Sequence, residues 1–184
     1  MRELLLHIEQ MDKDNFDNFI TLLTDSKESE KIRSLDLAII KRLREDAFST
    51  NPRYEAYLGK IGNEWVAYFI TVISYSISLA LPSLIMDEIF VSEKFRSMGV
   101  GAAMLNFCIR KAKKRDLCEI KIAVPARNKK AKKFFEYNDA FPTDLNCYKI
   151  DPSNTKIIKS PGKMTYADFL RKKRISKISC SAPE

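Results

Sequence analysis

Histidine is almost missing from this 184-residue chain, and His7 is the only one. Its four cysteines, Cys108, Cys118, Cys147 and Cys180, include no Cys-x-x-Cys pair. Zinc sites draw on close-spaced pairs of these residues, so no metal is expected. Glycine and proline are scarce, at 5 and 7 residues, which excludes collagen-like and low-complexity chains. The apolar stretch near the start, Leu4-Leu5-Leu6, is too short for a signal peptide core. Isolated thiols without such a leader lead us to expect a cytoplasmic protein with reduced cysteines.

Hydrophobic residues make up 45% of the chain and charged residues 30%, a globular composition. A chain this long buries roughly 70% of its unfolded surface and needs no disulfide or metal staple. The net charge of +8 is unevenly spread: residues 1–93 carry −6, 94–133 carry +11, 134–151 carry −3 and 152–184 carry +6. An acidic block beside a basic one implies two different ligands, although many of these lysines would also suit plain solvated helix faces.

Periodicity outlines the elements. Residues 3–8 read as a short strand. Helical spacing of Phe16, Phe19, Ile20 and Leu23 predicts a helix over 12–25, with Asp12 and Asp14 at its start. Ser34 is the expected N-cap of a second helix that ends near Asn51-Pro52. A strand over 53–61 leads to Gly62-Asn63, a hairpin turn signal. From Trp65 to Met86 there are 22 residues without a charge, long enough to span a bilayer. However, Ser74, Ser76 and Ser78 alternate with Ile73, Tyr75, Ile77 and Leu79, and that period of two belongs to a strand. Two neighbouring strands are expected, 65–77 and 84–91, with a bend at Leu81-Pro82-Ser83.

A helix follows from Val100 to Arg115, with Val100, Ala103, Met104, Phe107 and Cys108 as its apolar stripe. Then come a strand over 119–124, a basic helix over 129–137 and a last strand over 146–150. The expected fold is α/β, a mixed, partly parallel twisted sheet flanked by helices. It spans residues 1–151. Residues 152–184 are expected to be a basic extension with a short helix at 165–175 and a disordered end.

The sharpest chemical feature is Arg96-Ser97-Met98-Gly99-Val100-Gly101-Ala102, which opens a helix just after a strand. Glycines let a ligand approach backbone N–H groups. Unpaired N–H groups at a helix start, together with the helix dipole, bind anions, and Arg96 adds a charged fork for phosphate. A Walker A loop requires a following Lys-Ser/Thr, and a dinucleotide fingerprint requires a glycine at Met104, so both fit poorly. Further on, Asn128, Ala131, Phe134 and Phe135 form an Asn-x-x-Ala-x-x-aromatic-aromatic run.

These two motifs together resemble the GNAT superfamily of N-acetyltransferases. Arg44-Glu45-Asp46-Ala47-Phe48, Met86-Asp87-Glu88-Ile89-Phe90-Val91 and Tyr148-Lys149-Ile150-Asp151 look like segments of its diamine/polyamine branch. The resemblance covers roughly residues 3–151. It implies acetyl-CoA as cosubstrate, no metal, a small amine acceptor and a homodimer. Ile89, Phe90 and Val91 would line the pantetheine arm, the segment from Arg96 to Ala102 would hold the pyrophosphate, and Asn128 and Phe135 would also contact the cofactor. Asp87 and Glu88 would be the catalytic carboxylates, with Asp87 and Glu30 meeting the substrate.

Phe135 stands where the family places the tyrosine that protonates the leaving thiolate. Tyr148 is the candidate replacement, or the thiolate leaves unassisted, because a thiol pKa near ~8.5 makes it a tolerable leaving group. Lys121 stands where the polyamine branch faces its substrate, and a cation there would repel a polyamine. Asp87 and Glu88 are adjacent on a strand, so they point to opposite faces unless a bulge intervenes. Other readings remain open: acetylation of a protein lysine or N-terminus, a relative that binds CoA without turnover, and a basic nucleic-acid module. No aromatic-interleaved RNA-recognition motif supports the last, and no membrane partner is expected.

Overall fold

Apolar sides of the described strands and helices meet in two cores, one on each face of a single sheet. The computed structural model describes residues 5–29 and 35–143. In chain order these form β1 (Leu6–Gln10), α1 (Phe16–Ser29), α2 (Leu37–Ala47), β2 (Glu55–Ile61), β3 (Glu64–Ser76), β4 (Leu81–Val91), α3 (Val100–Lys114), β5 (Ile120–Ile122) and α4 (Lys129–Tyr137). The sheet order is β1-β2-β3-β4-β5. Successive pairs are antiparallel until β5, which joins β4 in parallel after the α3 crossover. The mixed sheet flanked by helices is as expected. Glu30, Ser34, the expected strand over 146–150 with Tyr148, and the extension from 152 onward lie outside the described residues.

Local chemistry sets the element ends. Asp12 Oδ1 accepts the N–H groups of Asp14 and Asn15, each at 2.9 Å. This turn holds the chain out of the helix until Phe16, four residues later than the predicted start. The second helix is capped by Asp36, whose Oδ1 accepts the Ile39 N–H at 2.8 Å, so Asp36 takes the role expected of Ser34. Gly62 makes the β2–β3 turn with φ of +59°.

The uncharged run forms strands, and no helix among the described residues is long and apolar enough to cross a membrane. The turn between β3 and β4 lies at residues 77–80, with Ala80 at φ of +53°. The bend expected at Leu81-Pro82-Ser83 is therefore absent. Pro82 sits second in β4, opposite Tyr75, and its carbonyl still accepts the Cys118 N–H at 3.0 Å. A missing N–H is tolerated at such a strand start. The period of two holds in β3, with Ser76 buried and Ile73 and Tyr75 outward.

Two cores flank the sheet. On one face Phe16, Phe19, Leu22 and Leu23 of α1 pack on Leu58, Tyr68 and Phe90. On the other, Val100, Met104, Leu105 and Cys108 of α3, with Phe135 of α4, pack on Tyr57, Phe69, Leu84 and Met86. Each such side chain contributes roughly 1.5–3 kcal/mol by leaving water. The α3 stripe buries Leu105 fully, while Ala103 and Phe107 stay half-buried.

Candidate functional site

β4 is longer than its parallel neighbour. Pairing with β5 covers only Leu84, Ile85 and Met86, while β4 continues to Val91. The second half of β4 therefore has an edge toward β5 that no described strand covers. The Ser92 N–H donates to the Val66 carbonyl at 2.8 Å, which fixes the alternation of the antiparallel ladder. Glu88 and Phe90 turn their backbone groups to β3. Ile89 and Val91 turn theirs to the open edge. Arg96 Nε donates to the Val91 carbonyl at 2.9 Å, as this orientation requires. The remaining N–H and C=O groups on this edge can pair with an extended, amide-bearing ligand in strand fashion.

At the start of the opening the ladder slips. Ile70 faces Glu88 and Thr71 faces Met86, so Asp87 is the extra residue of a bulge. Met86 and Ile89 flank the two acids, and both pack in the α3-side core although they are three residues apart. Without a bulge, residues three apart would face opposite ways. The bulge puts Asp87 and Glu88 side by side on the α1 side instead of on opposite faces. Asp87 is exposed. Glu88 Oε1 accepts the hydroxyls of Ser26 at 2.6 Å and Tyr68 at 2.7 Å.

At the far end of the opening, Glu93–Phe95 forms a short 3-10 turn and α3 begins at Val100. Ser97 at φ of +62° and Gly99 at φ of +82° turn the chain so that the first N–H groups of α3 point out. Residues 96–99 are exposed. A Cβ on Gly101 would lie 3.3 Å from the Phe134 ring, so this glycine lets α4 close against the start of α3. The loop and the open edge are thus continuous, joined by the bond from Arg96 to Val91. This geometry fits a chain-like ligand with an anionic end, and Arg96 stands at that end.

Asn128 caps α4, its side chain accepting the Ala131 N–H at 3.0 Å. Phe135 is buried in the α3-side core and offers no hydroxyl, and Tyr137 is 89% exposed. Lys121 is paired with Glu119 at 3.0 Å. Among the described residues no group of acidic, histidine and cysteine side chains could hold a metal ion. An open groove of about 580 Å³ lies between α1, the β2–β3 turn and the segment after β4, lined in part by Asp25, Trp65, Glu93 and the ion-paired Glu64 and Lys94.

Sequence reasoning missed Ser26 and Tyr68. A signal existed for each. Ser26 continues the Phe16, Phe19, Leu23 stripe, where a buried hydroxyl needs a partner. Tyr68 lies in a strand buried on both sides, and a buried tyrosine hydroxyl also needs one.

Comparison with known proteins gives a consistent result. The sequence profile described as "Acetyltransferase (GNAT) family" matches residues 16–138. No curated protein sequence matches the chain. Among solved structures, a ribosomal-protein-alanine N-acetyltransferase from Brucella melitensis biovar Abortus 2308 is 18% identical, with TM-score 0.67, over 80% of this chain and 99% of its own. An aminoglycoside acetyltransferase from an uncultured soil metagenomic sample, in complex with trehalose, is 12% identical, with TM-score 0.70, over 82% and 99%. An aminoglycoside N-acetyltransferase in complex with CoA is 16% identical, with TM-score 0.68, over 82% and 97%. At these identities the likeness is one of fold.

Proposed function

Because the chain belongs to the acetyltransferase (GNAT) family, N-acetyltransferases that use acetyl-CoA, we propose that its acceptor is a small cationic primary amine of the diamine or polyamine kind. The observation that carries this reading is the β4 opening, with a glycine-started helix at one end and a bulged pair of carboxylates at the other. In this reading Ile89 and Val91 pair with the pantetheine amides through their backbone. The N–H groups at the start of α3 and the Arg96 guanidinium take the pyrophosphate. Asn128 and Phe135 belong to the wall behind the pantetheine.

The acidic α1 side supports a cationic acceptor. Asp87 and Glu88 both lie there. Arg96, beside the start of α3, supplies the cation for the other ligand in this reading. An alkylamine with pKa near ~10.4 arrives protonated and cannot attack until it loses a proton. Asp87, exposed on the bulge, accepts that proton directly or through water. The amine nitrogen then bonds to the acetyl carbonyl carbon, the C–S bond breaks, and its electron pair leaves with the thiolate. The second N–H proton, lost as the amide forms, passes through water to the thiolate. Phe135 takes no part in that step.

The test is incubation of the purified full chain with acetyl-CoA and 1,3-diaminopropane. Thiol release is followed with a thiol reagent and the product by mass spectrometry. Acetylated diamine and stoichiometric thiol are expected. CoA binding with no transfer to any alkylamine would favour a non-catalytic role, and transfer only to peptide amines would move the acceptor to protein.

A further inference from the structure

β3 outruns β2. Their pairing begins at Glu55, opposite Thr71, whereas β3 runs on to Ser76. The chain entering β2 is drawn toward α2: the Arg53 N–H donates to the Asp46 carbonyl at 3.0 Å, and the Tyr54 hydroxyl to the Leu43 carbonyl at 2.9 Å. Among the described residues, no strand covers this edge of β3 beyond Thr71. Alternation shows which groups the edge presents. The Leu84 N–H and the Pro82 carbonyl are bonded on the β5 side, to Glu119 and Cys118. Their partners across the β3–β4 ladder are Ile73 and Tyr75, which therefore turn their own N–H and C=O groups away from β4, to the open edge. Leu84 packs in the α3-side core, so Ile73 and Tyr75 project on that face, where they are 49% and 55% exposed.

The hairpin tip continues this character. Ile77, Leu79 and Leu81 are exposed too, and no residue from Val72 to Leu81 is charged or a proline. Edge strands are normally guarded by charge, proline or a bulge, and this one carries none of them. At roughly 200 Å² for a free side chain of this size, the five apolar residues leave about 600 Å² open, the upper end for a monomer. Two such patches amount to about 1,200 Å², the size at which specific interfaces begin. The edge is also complementary to itself. Antiparallel pairing about a two-fold axis through Ser74 sets Ile73 of each copy opposite Tyr75 of the other, and each pair exchanges two backbone hydrogen bonds. Aromatic and β-branched side chains suit one another across strands, and no like charges meet. We propose that the β3 edge from Val72 to Ser76 pairs with the same edge of a second copy of this chain, joining the two sheets into one. This edge lies on the side of β3 away from β4, so the pairing does not depend on the acetyl-transfer reading.

Light scattering and sedimentation of the full chain test this directly. A mass twice that of one chain is expected at micromolar concentration. Tyr75→Pro removes an N–H that faces the edge and leaves the β3–β4 ladder whole. It should weaken the dimer about tenfold or more through the two bonds lost. Ile73→Lys combined with Tyr75→Lys sets lysine opposite lysine and should give monomer, and this variant decides the matter if Tyr75→Pro loosens the hairpin. Melting curves check that each variant is folded. Ser74 would face its own counterpart at a Cα separation of about 4.5 Å, within the disulfide range. With Cys118, Cys147 and Cys180 replaced by serine, Ser74→Cys should therefore link two chains under oxidised glutathione, and Ser78→Cys, off the axis, should not.

A chain that stays monomeric at every concentration overturns the pairing. So does a dimer that survives the lysine variant, or one in which Ser74→Cys forms no link. A monomer that floats with phosphatidylserine vesicles overturns it as well and gives the apolar tip to a membrane surface instead.

Discussion

Arg115, in the turn that ends α3, places Nη1 2.9 Å from Glu55 Oε1 at the start of β2. Tyr57 donates its hydroxyl to the other oxygen of the same carboxylate at 2.7 Å. The contact ties the basic end of α3 to the sheet, and α3 carries the glycine loop at its other end. Partial burial raises the pKa of Glu55. Hydrogen bonds from Arg115 and Tyr57 and the charges of Arg115 and Lys111 outweigh it and hold the carboxyl below its usual 4.5.

The pH dependence follows from that direction. A carboxylate whose folded pKa is depressed stabilises the fold above its unfolded pKa, and the contribution is lost as pH falls through the folded value. Glu55→Gln should cost about 1 kcal/mol at pH 7, modest because both partners are partly exposed. Below pH 4.5 the variant and the parent should converge. Urea midpoints at pH 7 and pH 3 check this, and a gap that persists or grows in acid overturns it.

The loop gives a second prediction. Gly99 has φ of +82° and no atom within 4 Å of a built Cβ, so the cost of a side chain there is conformational rather than a clash. For an L-residue that cost is roughly 1–2 kcal/mol. In the proposed site the same side chain would project where the pyrophosphate meets the N–H groups of α3. Gly99→Val should therefore fold, melt slightly lower and bind CoA at least about tenfold more weakly, as one lost hydrogen bond to a charged group implies. Calorimetry on a folded variant decides the matter, and unchanged affinity would remove the loop from the site.

Much of this was legible in the sequence for a physical reason. Periodicity reports which side of an element is buried, so α3, α4 and the β2–β3 hairpin were readable to within a residue or two. The glycine loop was readable because few other residue types permit that backbone. What sequence could not supply was register. The bulge at Asp87 depends on how β3 and β4 align, and no local signal marks it. The hydroxyls on Glu88 come from residues 62 and 20 positions away, a proximity only the fold creates. Pro82 was misread for a related reason, since it breaks a strand only where its N–H is needed.

Close packing gives a third prediction. A Cβ on Gly59 would sit 2.9 Å from Met104 Sδ and 3.2 Å from a Leu6 methyl. Gly59→Ala should destabilise by about 1–3 kcal/mol through overpacking. Met104→Ala should cost about 2–5 kcal/mol through the cavity it leaves. The added methyl then fills part of that cavity, so the double variant should be more stable than the sum of the two losses predicts. A double-mutant cycle from chemical denaturation measures the difference, and simple additivity would show that β2 and α3 do not meet there.

The last prediction concerns the proton of the amine. Asp87 is the inserted residue of the β4 bulge, immediately before the stretch whose backbone faces the open edge. Asp87→Asn keeps the side-chain shape and removes the charge. If Asp87 takes the proton, kcat/KM for the amine should fall by about 10²–10⁴-fold near pH 7, the usual worth of a positioned general base. CoA affinity should not change, because the backbone of Ile89 and Val91 is untouched. The deficit should shrink as pH rises toward ~10, where the free amine forms without help. A purely electrostatic attraction for the ammonium would behave differently. It would appear in KM, and its loss would matter less once the amine is neutral, while kcat at saturating amine stayed constant throughout. Rate profiles from pH 6.5 to 10 for Asp87→Asn and Glu88→Gln separate the two cases. If Asp87→Asn retains full kcat and Glu88→Gln does not, the roles of the two carboxylates are exchanged.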